Sequence, residues 1–120
     1  ATRLKPDLLT DYRRIFMVLL ELAIFPNDKG TSLSPYVARC MDIIDKSGLT
    51  YQFSAMSTTI EGEWDDVMKV VGDCFKALAK DCDRISVMTR VDYRAGNQSR
   101  LKSKVQSVEE KLGRDLVKKK

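Results

Sequence analysis

The chain alternates short apolar runs with segments whose apolar positions recur every three or four residues. Phe16 to Phe25 is the first run, closed by Pro26 and by the turn-formers Asn27, Asp28 and Gly30. Its near-continuous hydrophobicity predicts a central strand. Ser34 before Pro35 predicts a helix start, a side-chain cap followed by a proline whose missing N–H would be unbonded there anyway. Val37, Cys40, Met41 and Ile44 form one apolar stripe, and Gly48 supplies a left-handed stop. From Leu49 to Glu61 the chain alternates and then resets near Met56 and Ser57, which predicts two strands and a tight turn. The second of these, Ser57 to Glu61, is expected to end at Gly62.

Trp64, Asp65 and Asp66 open the next helix, with carboxylates near its positive end and a buried stripe of Val67, Val70, Val71, Cys74 and Leu78. Ile85 to Asp92 alternates again and predicts a strand. Leu101, Val105, Val108 and Leu112 describe a third amphipathic helix stopping at Gly113. The order β-α-β-β-α-β plus a C-terminal helix is the split βαβ, ferredoxin-like plan, an α+β sandwich on an antiparallel sheet. All three helices are expected on one sheet face. The domain is expected over 17–113, with an N-terminal extension at 1–16 and a basic tail at 114–120.

Side chains alternate across a sheet, so parity assigns faces. Leu20, Leu22, Ile24, Phe53, Ile60, Val87 and Val91 fall toward the helices. Glu21, Ala23, Gln52, Ser54, Thr59, Glu61, Met88, Arg90 and Asp92 fall on the open face. An RNA-binding sheet of this topology carries stacking aromatics on its two central strands. Here those positions are Glu21, Ala23, Thr59 and Glu61, which disfavours RNA.

Charge adds to that exclusion. The net charge is +4, from 21 basic and 17 acidic residues. Residues 1–16 and 114–120 hold eight of the basic and three of the acidic groups, leaving 13 basic against 14 acidic in between. The domain itself has no basic footprint for nucleic acid. The longest apolar run, Ile15 to Leu20, is far short of the roughly 20 residues of a membrane helix. A soluble, cytoplasmic protein without membrane contact is expected. Cys40, Cys74 and Cys82 match no zinc spacing and read as reduced thiols, with Cys40 and Cys74 as small core residues. Histidine is absent, which removes the commonest general base and metal ligand. Neither a metal, a cofactor nor catalytic residues are expected.

Four segments carry a resemblance. Thr31-Ser32-Leu33-Ser34-Pro35-Tyr36-Val37-Ala38, Met56-Ser57-Thr58-Thr59-Ile60-Glu61-Gly62 with Trp64-Asp65-Asp66, Arg90-Val91-Asp92-Tyr93-Arg94, and Lys104-Val105-Gln106-Ser107-Val108-Glu109-Glu110-Lys111-Leu112 resemble the small thiamine-binding (YkoF-like) protein family. The likeness runs from Met17 to Gly113 in one order. It departs after Pro26, where Asn27-Asp28-Lys29-Gly30 replace an early family glycine. The resemblance implies a ferredoxin-like fold, homodimers or homotetramers, and binding of thiamine or its hydroxymethylpyrimidine moiety without catalysis.

Under that implication Glu61 is the leading ligand residue, since a carboxylate accepts from an aminopyrimidine or balances a thiazolium cation. Thr58 and Thr59 can hydrogen-bond the pyrimidine edge. Ser32 and Ser34 stand at a helix N-terminus, where Ser34 also serves as the expected cap. Arg90 and Asp92 share the face of Glu61 and can pair with it. Tyr51 and Trp64 can stack on a ring, or pack under a helix. The competing reading is a structural or regulatory oligomer that binds another small metabolite or anion. A third is an enzyme using Glu61 and Asp92 as an acid/base pair.

Overall fold

The computed structural model describes residues 16–95 and 101–116. Four strands, β1 (Met17–Pro26), β2 (Thr50–Phe53), β3 (Thr58–Glu63) and β4 (Ile85–Tyr93), form one antiparallel sheet in the order β2-β3-β1-β4. Three helices, α1 (Ser34–Lys46), α2 (Trp64–Ala79) and α3 (Leu101–Leu112), complete the order expected from the sequence. This is the ferredoxin-like arrangement, with β1 and β3 central. The expected extension at 1–16 lies outside the described residues except for Phe16, and so does Lys118–Lys120 of the tail.

The core forms where α1 and α2 cover one sheet face. Val18, Leu20 and Leu22 of β1 meet Ile60 of β3, Cys40 and Ile44 of α1, and the α2 stripe Val67, Val70, Val71, Cys74 and Leu78. Each of the five α2 positions expected to be buried is buried. The Arg39 guanidinium joins the two helices, donating to the Ala77 carbonyl at 3.0 Å and to both Asp81 carboxylate oxygens at 2.7 and 3.1 Å. Gly48 takes φ +78°, the left-handed conformation that ends α1 and releases the chain into β2.

Four expectations need correction. Ser34 is not the cap of α1. Leu33 occupies that position with helical dihedrals and makes no side-chain cap bond, while its carbonyl receives the N–H groups of Tyr36 and Val37 at 3.0 Å. Leu33 already has helical geometry, so Ser34 is inside the first turn, where its hydroxyl cannot reach forward as a cap.

Secondly, β3 does not stop at Gly62 but runs to Glu63, which is itself the cap of α2: its carboxylate accepts from Asp65 N at 2.9 Å and Asp66 N at 3.3 Å. Gly62 is a close-approach site. A Cβ there would lie 3.1 Å from Val67 Cγ2 and 3.2 Å from a Leu49 methyl.

Thirdly, only α1 and α2 pack on the helix face. The first residue of α3, Leu101, donates its N–H to Glu61 Oε2 at 3.1 Å on the opposite face, and Val108 and Leu112 of its apolar stripe stay about half exposed. Leu101 sits across the sheet from the core, so the α3 stripe cannot reach it. Lastly, Trp64 is exposed and not packed under a helix. It is the first residue of α2, at the margin of the buried stripe.

Candidate functional site

A cavity of about 720 Å³ opens on the helix face between the first half of α1, the end of β1 and the turn joining β2 to β3. That size lies within the range usual for small-ligand sites. Leu22 and Ile24 of β1 supply one wall, Val37 and Met41 of α1 a second, and Phe53 to Thr58 a third. Local chemistry holds each wall. The hairpin turn is fixed by Ser54, whose N–H and hydroxyl both donate to the Ser57 carbonyl, at 2.9 and 2.7 Å. Thr58 is buried and donates its hydroxyl to the Met41 sulfur at 3.4 Å, tying β3 to α1.

The lining is uncharged. Hydroxyl-bearing Thr31, Ser34, Ser54 and Thr58 punctuate an otherwise apolar surface, the Ser57 hydroxyl being turned to Glu21, and no lysine, arginine or carboxylate is among the lining residues. The α1 N-terminus adds little pull on an anion, because Pro35 has no N–H and those of Tyr36 and Val37 serve Leu33. Such a cavity suits a neutral, planar, partly polar ring. It offers an anion or a desolvated cation no partner.

The open face holds a second, separate group. Register places Glu61, Leu19 and Asp92 in one row, and Thr59, Glu21 and Arg90 in the next. Glu21 accepts from the Ser57 hydroxyl at 3.1 Å. Glu61 is only 6% exposed and accepts from Leu101 N.

The seven residues expected at the ligand therefore divide. Thr58 and Ser34 line the cavity, whereas Thr59, Glu61, Arg90 and Asp92 are together on the opposite face and exposed Ser32 lines neither. Thr58 and Thr59 are consecutive in a strand, so the pleat itself separates them. Sequence reasoning missed Met41, Phe53 and the hairpin turn as site elements. A signal for α1 was available: Val37 and Met41 stand at one side of the stripe and are only half-buried, while Cys40 and Ile44 fill the core.

Around these sites the ionisable groups are mostly structural. The Arg39 hydrogen bonds hold the Asp81 carboxyl below its ordinary range, and the Asp83 backbone N–H does the same for Asp28. Cys74 donates its thiol to the Cys40 carbonyl at 3.7 Å, and contact with Cys40 followed by burial pushes the Cys74 thiol up, which makes it inert. Among the described residues no cluster of three or more histidine, cysteine or acidic side chains stands ready for a metal, and no helix is long and apolar enough to cross a membrane.

Comparison with known proteins gives this geometry its context. A family model described as "Thiamine-binding protein" matches residues 20–109. A UPF0045 protein of Synechocystis is 35% identical over 101 residues, covering 82% of this chain and 84% of its own. The UPF0045 protein MJ1052 of Methanocaldococcus jannaschii is 30% identical over 98 residues, covering 80% and 98%. Its crystal structure superposes with a TM-score of 0.73 at 27% identity, over 79% of this chain and 98% of that one. A Thermotoga maritima structure, assigned provisionally to thiamine biosynthesis or salvage, shares the fold with a TM-score of 0.69 at 24% identity, over 77% and 98%.

Proposed function

The chain belongs to the thiamine-binding protein family, and from that membership we propose that it binds thiamine, or the hydroxymethylpyrimidine half of thiamine, as a carrier or sensor and not as an enzyme. The observation that carries the reading is the uncharged cavity between α1 and the β2–β3 hairpin, of a size to admit one heteroaromatic ring. The aminopyrimidine is neutral and planar and has hydrogen-bonding edges, so it matches apolar walls with a few hydroxyls. Thr58 and Ser34 address its edge. The thiazolium keeps its charge in water at the mouth, where Phe53 and Met56 are exposed, because the interior has nothing to balance it. No acid or base lines the cavity, which favours holding a ligand over transforming it.

Calorimetric titration with thiamine and with hydroxymethylpyrimidine tests this. Both should bind, and Val37→Trp, which fills the cavity, should abolish both while leaving the protein folded. Absence of binding to either ligand by the wild-type chain would refute the assignment.

The open face supports a second reading. Glu61, Thr59, Arg90 and Asp92 combine a buried carboxylate with flanking polar groups, which fits a cationic ring at Glu61. In that case Glu61→Gln weakens thiamine and Val37→Trp does not. The competing function is a structural or regulatory oligomer that binds another small metabolite or anion, and the same titrations with both ligands separate it.

A further inference from the structure

The side of α2 away from α1 carries a second apolar stripe that the core does not use. Trp64, Met68, Gly72, Phe75 and Ala79 recur at intervals of four, four, three and four, and the three large residues are 41%, 36% and 44% exposed. The helical repeat sets this stripe about a quarter-turn from the buried one. It lies opposite Ala77, whose carbonyl meets Arg39 of α1, and so looks out over the edge strand β4. Register with β1 puts Val87, Val91 and Tyr93 on the helix face of that strand, also well exposed. The two rows wall an apolar groove, the kind of surface that marks an interaction site on a folded domain.

Gly72 shapes the middle of the groove. A glycine inside a helix weakens it relative to alanine, and here an added Cβ would meet nothing within 4 Å. Packing within the domain does not ask for it; a side chain seated between Met68 and Phe75 would. The chain itself enters at one end of this groove. The Phe16 carbonyl accepts the Trp64 N–H at 3.0 Å, and the Phe16 ring lies 6.2 Å from that of Tyr93. Ahead of Phe16 in the sequence, Leu4, Leu8, Tyr12 and Ile15 recur at intervals of four, four and three, the intervals of Trp64, Met68, Gly72 and Phe75.

We propose that residues 4–15 run back along this groove and cover it within the same chain, antiparallel to α2, with Ile15 beside Trp64 and Leu8 at the Gly72 notch. Trp64 to Phe75 rises about 17 Å along the helix axis, and a segment of that many residues reaches as far whether it is helical or more extended. Arg13 and Arg14 come to the end of the groove where Asp65, next to the stripe, is exposed, so opposite charges meet there. The occupant is this segment because it begins at the mouth of the groove. A separate molecule would have to offset the full entropy of association, which a directly tethered segment largely avoids.

Trp64 is the sole tryptophan and reports the cover. In the full chain its emission should be partly shielded from acrylamide, to the same degree at every protein concentration. Leu8→Asp together with Tyr12→Asp should remove the shielding, raising the quenching constant and shifting emission to longer wavelength while cooperative thermal unfolding is retained. Gly72→Gln, which fills the notch from the α2 side, should do the same, and Thr10→Asp, outside the repeat, should not. If the double variant does not fold, Gly72→Gln decides alone. Unchanged quenching in the folded variants, equal exposure caused by Thr10→Asp, or shielding that is lost on dilution and so comes from a second copy, would each overturn the proposal.

Discussion

The Thr58 hydroxyl donates to the Met41 sulfur at 3.4 Å, joining the third strand to the first helix at the cavity wall. Its neighbour Thr59 faces Glu21 on the other side of the sheet. Two adjacent, chemically identical side chains thus sample the two candidate sites independently. Thr58→Val should weaken hydroxymethylpyrimidine by a few-fold up to about ten-fold, the value of one neutral hydrogen bond of about 0.5–1.5 kcal/mol. Thr59→Val should leave it unchanged. Titration of both variants reads the result, and the reverse ordering would move the pyrimidine to the open face.

Glu61 holds the start of α3 through Leu101 N. Glu61→Ala should therefore speed amide hydrogen exchange at Leu101 while amides of Leu20 and Ile60, in the buried sheet centre, keep their protection. If Leu101 exchange does not change, the carboxylate is not what anchors the helix.

Gly62→Ala probes the close approach of β3 to α2. Alanine would gain backbone order, worth about 0.4–1 kcal/mol. The new Cβ, however, meets Val67 Cγ2 at 3.1 Å, and Val67 is fully buried with no room to retreat. Overpacking of about 1–3 kcal/mol wins. The thermal midpoint should fall by roughly 4 °C or more, and an increase would show that Leu49 and Val67 yield freely.

Loss of the α2 cap is a separate test of the same junction. Glu63→Ala removes the acceptor for Asp65 N and Asp66 N, and should cost about 0.5–2 kcal/mol in a urea titration. Glu63→Gln keeps an acceptor oxygen and should cost less. Equal losses would mean that charge, and not the hydrogen bonds, is what the helix start requires.

The Asp81 carboxyl is held below its ordinary range by the Arg39 hydrogen bonds. A depressed folded-state value means that the pair stabilises the fold above the unfolded carboxyl's titration near about pH 3.9. That contribution is lost as pH falls through the lower folded value. Thermal midpoints measured from neutral pH downward should converge for wild type and Asp81→Asn in acid and separate above that range. A constant gap at every pH would assign the effect to packing.

Much of this protein is determined by its sequence alone. The strand and helix order, the α2 stripe from Val67 to Leu78, the stop at Gly48 and the alternation of faces within the paired strands follow from periodicity, because alternation and the helical repeat are properties of the backbone over a few residues; Ser54, expected on the open face, lies past the end of β2 in the turn that lines the cavity. The family likeness follows from the same local segments. The junction at Gly62 and Glu63 was less legible: a glycine commonly ends a strand, and its other use, close approach to Val67 and Leu49, depends on how α2 folds back.

The cavity and the place of α3 were decided only by tertiary structure. Met41 and Thr58 are in separate elements, and nothing in either segment states the gap left between them when α1 and the hairpin settle on the sheet. Likewise the α3 stripe of Leu101 to Leu112 is amphipathic in sequence, yet an apolar stripe specifies only that a helix has a side to cover. Which surface it meets depends on where the chain leaves β4 and on the acceptor it finds, here Glu61 on the face opposite the core. Local periodicity fixes the direction of a side chain within its element; the spacing between elements is set by the packing of all of them together.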